Sequence, residues 1–193
     1  MAYDIPPDLA GMSLLEIAEA VSARKLPPVD QWKPEATSDS HMCIAADGTW
    51  YHHGSPITRP AMVRAFASLL WRDAEDGQHY LVTPHYRQTI EVEDAAFIAT
   101  DLRVDADGNG QTLAFRLNTD DLVIAGPDHP LRTQGDADAP AIYLTVRHGC
   151  EARLDRSTWL QLAEHALSQG DGEPAVASRG ARFSLVPAPP QSS

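Results

Sequence analysis

The sequence contains only two cysteines, Cys43 and Cys150, and only two lysines, Lys25 and Lys33, in 193 residues. Two cysteines are too few for a disulfide framework. The scarcity of lysine leaves almost all positive charge on arginine, whose planar guanidinium suits bidentate contacts with anions. Arginine preference in a GC-rich genome explains the same composition equally well, so this bias alone identifies no function.

Long apolar runs and an N-terminal targeting signal are also missing. The longest apolar run is far below the roughly 18 residues that a membrane span needs. The N-terminus has Asp4, Pro6 and Pro7 where a signal peptide has positive charge and an apolar stretch. We therefore expect a cytoplasmic bacterial protein. The 27 acidic residues outnumber the 15 basic ones and give a net charge of -12, which disfavours nucleic acid and membrane surfaces as partners.

Motifs of known catalytic chemistry are absent as well. The sequence has no Gly-x-Ser-x-Gly elbow, no His-Glu-x-x-His, no Gly-rich phosphate loop before a lysine and no dinucleotide-binding glycine series. Without such companions, the histidines His52, His53, His79, His85 and His129 are expected to lie on the surface. We predict no cofactor, and we favour a non-catalytic protein over an enzyme.

The chain does contain enough apolar residues, 43 % of the total, to form a real core. Ser13 and Glu16 form a capping-box pattern that predicts a helix over residues 14–24. The prolines that follow indicate an extended linker through Ser38. Asp47-Gly48 then predicts a hairpin turn, and Pro60 opens a helix expected to reach about Trp71.

From Tyr80 onward, short β-rich runs alternate with turn residues, which is typical of antiparallel sheets. About seven strands closed by one helix, Arg156 to Leu167, match the architecture of pleckstrin-homology-like domains. A last strand is expected over about residues 181–186. The predicted organisation is an N-terminal helix and linker (1–34), an N-terminal α+β domain (35–84), a C-terminal β-barrel-like domain with its closing helix (85–187) and a disordered tail (188–193).

A weak internal repeat suggests duplication. Ile57-Thr58-Arg59 and, 97 residues later, Leu154-Asp155-Arg156 each combine a strand end, a polar capping residue and an arginine before an amphipathic helix. The apolar positions of the two helices coincide. Because any two amphipathic helices share this spacing, duplication and coincidence both stay open.

Three patterns raise the question of bound ions. Asp105, Asp107, Asn109 and Gly110 match half of a calcium loop, but Arg116 stands where the bidentate glutamate belongs, which favours a polar hairpin loop. His41-Met42-Cys43 and His148-Gly149-Cys150 would offer a zinc site if they met, although cysteine in a strand is more often a small buried residue. We predict no metal. Arg59 and Arg156 each precede a helix, where they either hold an anion or pair with an acid such as Asp94 or Asp155.

Five motifs in order make the chain similar to the bacterial family catalogued as domain of unknown function 1285. They are residues 43–50, 54–59, 81–84, 90–97 and 143–147, which read CIAADGTW, GSPITR, LVTP, IEVEDAAF and YLTVR. The resemblance covers Trp32 to Leu167. The sequence departs from the family pattern at His85-Tyr86-Arg87, at Ala96 and at Cys150. The change at His85 removes an acidic-basic pair near the interface that the resemblance implies, which leaves the identity of the ligand open for this chain.

The resemblance implies an α+β fold with a two-part duplicated core, in which antiparallel sheets are each packed by a helix and the C-terminal part is pleckstrin-homology-like. It also implies a ligand site between the two parts and a role in signal transduction through a nucleotide-like molecule. We therefore expect a regulatory module that binds a small anionic ligand at the interface. The residues expected to form this site are Arg59, Arg87 and Arg147 for the anion, Trp50, Tyr86 and Tyr143 for a ring, and Asn118 as a hydrogen-bonding partner. A small metal-assisted hydrolase and a protein-interaction scaffold remain alternatives, and the sequence leaves the oligomeric state open.

Overall fold

The computed structural model describes residues 25–170 and 172–188, together with residues 13, 15, 16, 19 and 23. The last four of these single residues are helical, within the predicted N-terminal helix. The Ser13 amide donates to Glu16 Oε2 at 2.7 Å, and the Glu16 amide donates to Ser13 Oγ at 3.3 Å. These two bonds confirm the capping box. The rest of that helix, and the tail from residue 189, lie outside the described residues.

The first half of the described chain forms a short 3-10 turn at Val29–Gln31, six strands and one helix. These elements are β1 (Ala36–Ile44), β2 (Trp50–His52), β3 (Ser55–Pro56), α1 (Pro60–Ala67), β4 (Leu70–Arg72), β5 (His79–Val82) and β6 (Tyr86–Val92). The second half consists of β7 (Phe97–Asp107), β8 (Gly110–Leu117), β9 (Leu122–Ile124), β10 (Leu131–Asp136), β11 (Ala139–Arg147), β12 (Cys150–Leu154), α2 (Arg156–Ser168), β13 (Ala175–Ser178) and β14 (Ala181–Ser184).

Each half contributes one six-stranded sheet. The N-terminal sheet has the order β3-β2-β1-β6-β5-β4, and the C-terminal sheet has the order β9-β8-β7-β12-β11-β10. Neighbouring strands are antiparallel except for the central pairs, β1 with β6 and β12 with β7. The two halves are therefore mostly antiparallel sheets with few helices, which agrees with the predicted α+β class.

The strand orders support duplication, although not through the repeat that the sequence suggested. Counted from the first strand of each half, both sheets have the order 3-2-1-6-5-4. The helices differ in position, because α1 follows the third strand of its half and α2 follows the sixth. The N-caps also differ: Asp155 caps α2 through its side chain, whereas Arg59 itself occupies the N-cap of α1 without a side-chain bond. The helical repeat is therefore a coincidence of amphipathic spacing.

Three predicted boundaries of the N-terminal part were wrong, each because of a strand pairing that the sequence pattern did not show. The expected linker through Ser38 includes the start of β1, which pairs in parallel with β6. Helix α1 ends at Ala67 rather than at Trp71, because Leu70–Arg72 forms strand β4 and pairs with β5. The N-terminal sheet continues to Val92, so the passage between the two sheets falls between Val92 and Phe97 rather than after residue 84.

One hydrophobic core connects the two sheets. Trp50, Leu70 and Ile90 of the N-terminal sheet belong to the same buried cluster as Phe97 and Phe115 of the C-terminal sheet. Burial of apolar surface across the seam stabilises both halves together. The seam is therefore part of the fold rather than a loose contact between independent domains.

The predicted last strand is a hairpin, β13–β14, that packs beside the C-terminal sheet. Ser178 Oγ accepts from the Leu113 amide at 2.9 Å and donates to the Ala125 carbonyl at 2.7 Å. Thr133 Oγ1 donates to the Ser184 carbonyl at 2.8 Å. The likeness of this part to pleckstrin-homology domains stays a prediction. Neither α1 nor α2 has the length and apolarity that a membrane-spanning helix requires, and no other described helix does.

Candidate functional site

A polar cavity of about 580 Å³ lies where the two sheets meet. We call it the seam cavity. Arg72, His79 and Asp94 line it from the N-terminal half and its connection, and Arg132, Tyr143 and Glu151 line it from β10, β11 and β12. Its volume falls in the range of roughly 300–1,000 Å³ that is typical of small-molecule sites.

Adjacent strands hold the cationic wall of the seam cavity in place. Arg132 donates to both carboxylate oxygens of Glu151, at 3.0 and 2.8 Å, from the other side of β11. The guanidinium carbon of Arg132 also lies 4.5 Å from the centre of the Tyr143 ring. The hydrogen bonds from Arg132 to Glu151 raise the pKa of the guanidinium above its usual value. This bidentate geometry fixes the orientation of the cation before any ligand arrives.

Asp94, which lies in the connection between the two sheets, also lines the cavity. Its two carboxylate oxygens accept from the Tyr143 hydroxyl and from Arg153, each at 2.7 Å. Burial and the hydrogen bond to Asp94 raise the pKa of Tyr143, so the phenol stays protonated and donates. Asp94 follows the last strand of the first sheet, whereas Tyr143 and Arg153 belong to the second. The network therefore ties the two halves together at the cavity.

Among the titratable groups of the cavity, His79 has the largest pKa shift. Burial, and secondarily the positive charge of Arg72, lower its pKa from 6.5 to about 4, against a smaller opposing effect of Glu151. The imidazole is therefore neutral at physiological pH and can both donate and accept a hydrogen bond. Its expected place on the surface was wrong, because β5 turns this side chain into the seam.

Two of the arginines predicted to bind the anion have structural partners. Arg147 donates to Asp121 Oδ2 at 3.2 Å and to the carbonyl of Ala67, the last residue of α1, at 3.3 Å. Arg87 donates to Thr37 at 3.1 Å and lies 4.3 Å above the Tyr80 ring. Arg147 thus joins the two halves, and Arg87 holds β6 to β1.

The seven predicted residues do not assemble into one site. Tyr143 lines the seam cavity, Tyr86 lines an apolar groove beside α1, and Trp50 and Asn118 line a third cavity. Arg59 is exposed at the start of α1. Sequence separation could not reveal this dispersal, because the residues lie on strands whose neighbours are set by long-range pairing. The idea of one shared anion site built from all seven is corrected accordingly.

The metal-binding alternatives also fail in the described part of the chain. Within residues 25–170 and 172–188, no three His, Cys, Asp or Glu side chains are placed to hold a metal ion. The half calcium loop is a tight hairpin turn between β7 and β8. Cys150 is buried, and its burial raises its thiol pKa to about 12, whereas Cys43 is half-buried. His148 lies in the turn between β11 and β12, and both His41 and His148 have a positive φ, so neither His-Cys pair forms the regular strand pattern that the sequence suggested.

Three of the other four histidines that we expected on the surface do lie there, and the chain itself caps the start of α2. His52, His53 and His85 are exposed as predicted, but His129 is half-buried beside the Thr145 carbonyl. Asp155 accepts from the Thr158 amide at 2.8 Å, so the N-terminus of α2 is capped by the chain itself.

Sequence reasoning missed most of the residues that line the seam cavity. Arg72, Arg132 and Glu151 carry no motif, and their meeting depends on which strands become neighbours. Asp94 was considered as an ion-pair partner for Arg59 or Arg156, but its partner is Arg153. Glu93 and Asp94, two acidic residues inside the family motif at 90–97, were the available signal.

Comparison with known proteins agrees with the two-part fold. The N-terminal domain of DUF1285, a domain of unknown function, matches residues 27–95, and the C-terminal domain matches residues 96–185. No curated protein matches the chain. The crystal structure of a DUF1285 family protein from Silicibacter pomeroyi DSS-3 is 39 % identical with a TM-score of 0.77, covering 91 % of this chain and 95 % of that one.

A second crystal structure shares the fold at lower identity. It is a DUF1285 family protein from Shewanella baltica OS155, with 22 % identity, a TM-score of 0.51, and coverage of 64 % of this chain and 90 % of that one. The five motifs, the two matched domains and the Silicibacter structure all lead to the same assignment. The chain belongs to the DUF1285 family.

Proposed function

We propose that this protein is a non-catalytic regulatory module that binds a small polar ligand with an anionic group, of nucleotide-like chemistry, in the seam cavity. The observation that carries the proposal is the construction of this cavity: charged side chains from both sheets line a space of about 580 Å³. Binding sites of this kind occur preferentially where two structural units meet.

The cationic groups of the cavity can bind the anionic part of the ligand. The guanidinium groups of Arg72 and Arg132 both line the cavity. Arg132 is oriented by Glu151, and Arg72 donates through Nε to the Gly77 carbonyl at 3.3 Å. A guanidinium in a fixed orientation loses less conformational entropy when it binds a phosphate or carboxylate.

The acidic and neutral groups support the polar remainder of the ligand. Glu93, Asp94 and Glu151 also line the cavity, so three carboxylates stand beside the two guanidinium groups. A bare anion would gain little there, whereas a molecule that also carries hydroxyl or amine donors finds acceptors. The neutral imidazole of His79 adds a group that can donate or accept. Nucleotide-like molecules combine these features.

A ligand bound at the seam can regulate the protein by changing the stability of one arrangement of the two halves. A molecule that contacts both sheets binds the closed arrangement of the two halves more tightly than any opened one, and so stabilises it. The proposed role in cytoplasmic signal transduction rests on this coupling and on the family-level suggestion. We also propose that the C-terminal part resembles pleckstrin-homology domains, which its closing helix α2 supports.

Calorimetric titration with nucleoside monophosphates, cyclic nucleotides and inorganic phosphate tests the proposal. We expect heat from at least one nucleotide, and at least about tenfold weaker binding in Arg132→Gln, because a charge-assisted contact is lost. Arg182→Gln removes an exposed arginine outside the cavity and is the matched control. Absence of heat across the panel, or equal affinities in both variants, would refute the proposal.

A further inference from the structure

A second concave surface lies on the N-terminal sheet, between helix α1 and strands β1, β5 and β6. We call it the α1 groove. Its volume is about 400 Å³, and none of its lining residues also lines the seam cavity. Helix α1 has eight residues, whereas α2 has thirteen, so α1 covers less of its sheet than a helix of that length would.

Side chains of the core form the deepest part of the α1 groove. Met42 of β1 and Leu81 of β5 are buried, and Phe66 of α1 is half-buried beside them. Methionine adapts to the shape of what it contacts, and its sulfur makes favourable contacts with aromatic rings. The groove therefore offers an adaptable apolar floor rather than a polar one.

The rim of the groove exposes apolar surface to solvent. Met62 of α1 is 40 % exposed and Tyr86 of β6 is 45 % exposed. The described part of the chain has six large hydrophobic side chains that are exposed, and these two of them border the same groove. Exposed apolar groups gathered around a concavity mark an interaction site, whereas single exposed side chains need no explanation.

The charge of the lining selects the class of ligand. Among the described residues that line the α1 groove, none is Asp, Glu, Lys or Arg, although 22 % of the chain is charged. The seam cavity differs sharply, because two guanidinium groups and three carboxylates line it. An ionised ligand would lose its water in the α1 groove without gaining a partner of opposite charge, so an uncharged ligand is favoured.

Two of the polar groups in the groove are already satisfied by the protein. Ser40 Oγ donates to the Thr89 carbonyl at 2.7 Å and accepts from the Met42 amide at 3.1 Å. Thr83 Oγ1 donates to the Tyr86 carbonyl at 2.8 Å and accepts from the Tyr86 amide at 3.2 Å. Because these hydroxyls keep their partners, displacing water from the groove leaves neither of them without a hydrogen bond.

We propose that the α1 groove binds a small uncharged aromatic molecule of about two rings, which packs against Met42, Phe66 and Leu81 beneath the rim. The Tyr86 ring and the methionine side chains give the aromatic faces and edges suitable contacts. The volume lies toward the lower end of the range for small-molecule sites, which excludes a long lipid chain. This proposal does not depend on the nucleotide-like ligand of the seam cavity.

Fluorescence titration of the full chain with N-phenyl-1-naphthylamine, an uncharged two-ring probe, tests the proposal. The titration is run at about pH 8, above the usual pKa of histidine, because the exposed His52 also lines the groove. We expect saturable binding in the micromolar range. As competitors, 1-naphthoate and 1-naphthylmethylamine carry a charge on the ring system of 1-naphthylmethanol, and each should displace the probe at least about tenfold less well than the alcohol.

A matched pair of variants on α1 locates the probe. Met62→Glu places a carboxylate at the rim and should weaken binding at least about tenfold, because the charge would be desolvated beside the probe. Ala65→Glu adds the same charge at an exposed position of α1 that does not line the groove, and it should bind like the unaltered protein. Equal affinities in the two variants would overturn the proposal.

Nuclear magnetic resonance of ¹³C-methyl methionine tests the unaltered protein. Met42→Leu and Met62→Leu identify the two groove resonances, and both are expected to shift through the ring currents of the bound naphthalene. The proposal is overturned if neither resonance moves, if the probe shows no saturable binding, or if the charged competitors equal the alcohol. Affinity that falls as the protein concentration rises would assign the groove to contact between two copies of the chain, and would also overturn it. None of these results bears on nucleotide binding at the seam cavity.

Discussion

Replacement of Arg147 by methionine should destabilise the whole fold, because the buried Asp121 carboxylate loses its ion pair with this guanidinium. The side chains of Arg147 and Asp121 are only 12 % and 4 % exposed, and they join β11 to the β8–β9 turn. Removing one member of a buried ion pair typically costs about 3–5 kcal/mol. Thr119 Oγ1 still donates to Asp121 at 2.9 Å, so we expect a loss near 3 kcal/mol, including the lost donor to the Ala67 carbonyl.

Urea unfolding followed by tryptophan fluorescence measures this loss as a change in the free energy of unfolding. One transition is expected, because the two sheets share a core. Arg103→Met is the matched control: Arg103 pairs with Asp105 where the side chains are 27 % and 29 % exposed, so its loss should stay below about 1 kcal/mol. Adding Asp121→Asn to Arg147→Met should recover part of the loss. Equal small losses in Arg147→Met and Arg103→Met would show that the buried ion pair contributes no more than the exposed one.

Three further predictions concern single side chains. Because the folded-state pKa of His79 is about 4 against 6.5 when unfolded, its contribution is present above pH 6.5 and is lost as the pH falls toward 4. Because the ring is only half-buried, we expect this loss of unfolding free energy to be about 1–2 kcal/mol. Urea unfolding between pH 6.5 and 4 should show a fall in stability that is smaller by this amount in His79→Gln. An equal fall in both proteins would contradict the prediction. A thiol reagent should label Cys43 slowly in the folded protein and Cys150 only after denaturation, and rapid labelling of both would contradict the buried position of Cys150. Gly48→Ala should lower the free energy of unfolding by about 2–4 kcal/mol, since φ is +86° and a Cβ would lie 2.7–2.8 Å from side chains across the seam. Gly54→Ala, where φ is +76° but the space is open, should lower it by only about 1 kcal/mol. Thermal unfolding compares the two variants, and equal shifts of the melting temperature would contradict the close contact at Gly48.

Local features were readable from the sequence where a few neighbouring residues decide the structure. The capping box at Ser13 and Glu16, the hairpin turn at Asp47-Gly48 and the proline-initiated helix α1 each depend on short-range chemistry. The run of short antiparallel strands after Tyr80 was also correct in kind. The five family motifs then identified the family, because ordered motifs carry more information than periodicity alone.

Features that depend on distant partners were not readable. The parallel pairing of β1 with β6 turned an expected linker into a central strand. The true internal similarity lies in strand order, which no short pattern in the sequence displays. Arg132 and Glu151 meet only because β10 and β12 lie on either side of β11. The charged residues that line the seam cavity could therefore not be predicted from the sequence. Residues that the sequence did single out, such as Arg147 and Trp50, are instead packed in the interior.

Hydrogen exchange with and without the most tightly bound nucleotide tests most directly whether the ligand bridges the two sheets. We expect slower exchange of backbone amides in both β5, which carries His79, and β11, which carries Tyr143, at saturating nucleotide. Exchange that slows in only one sheet, or in neither, would contradict binding at the seam.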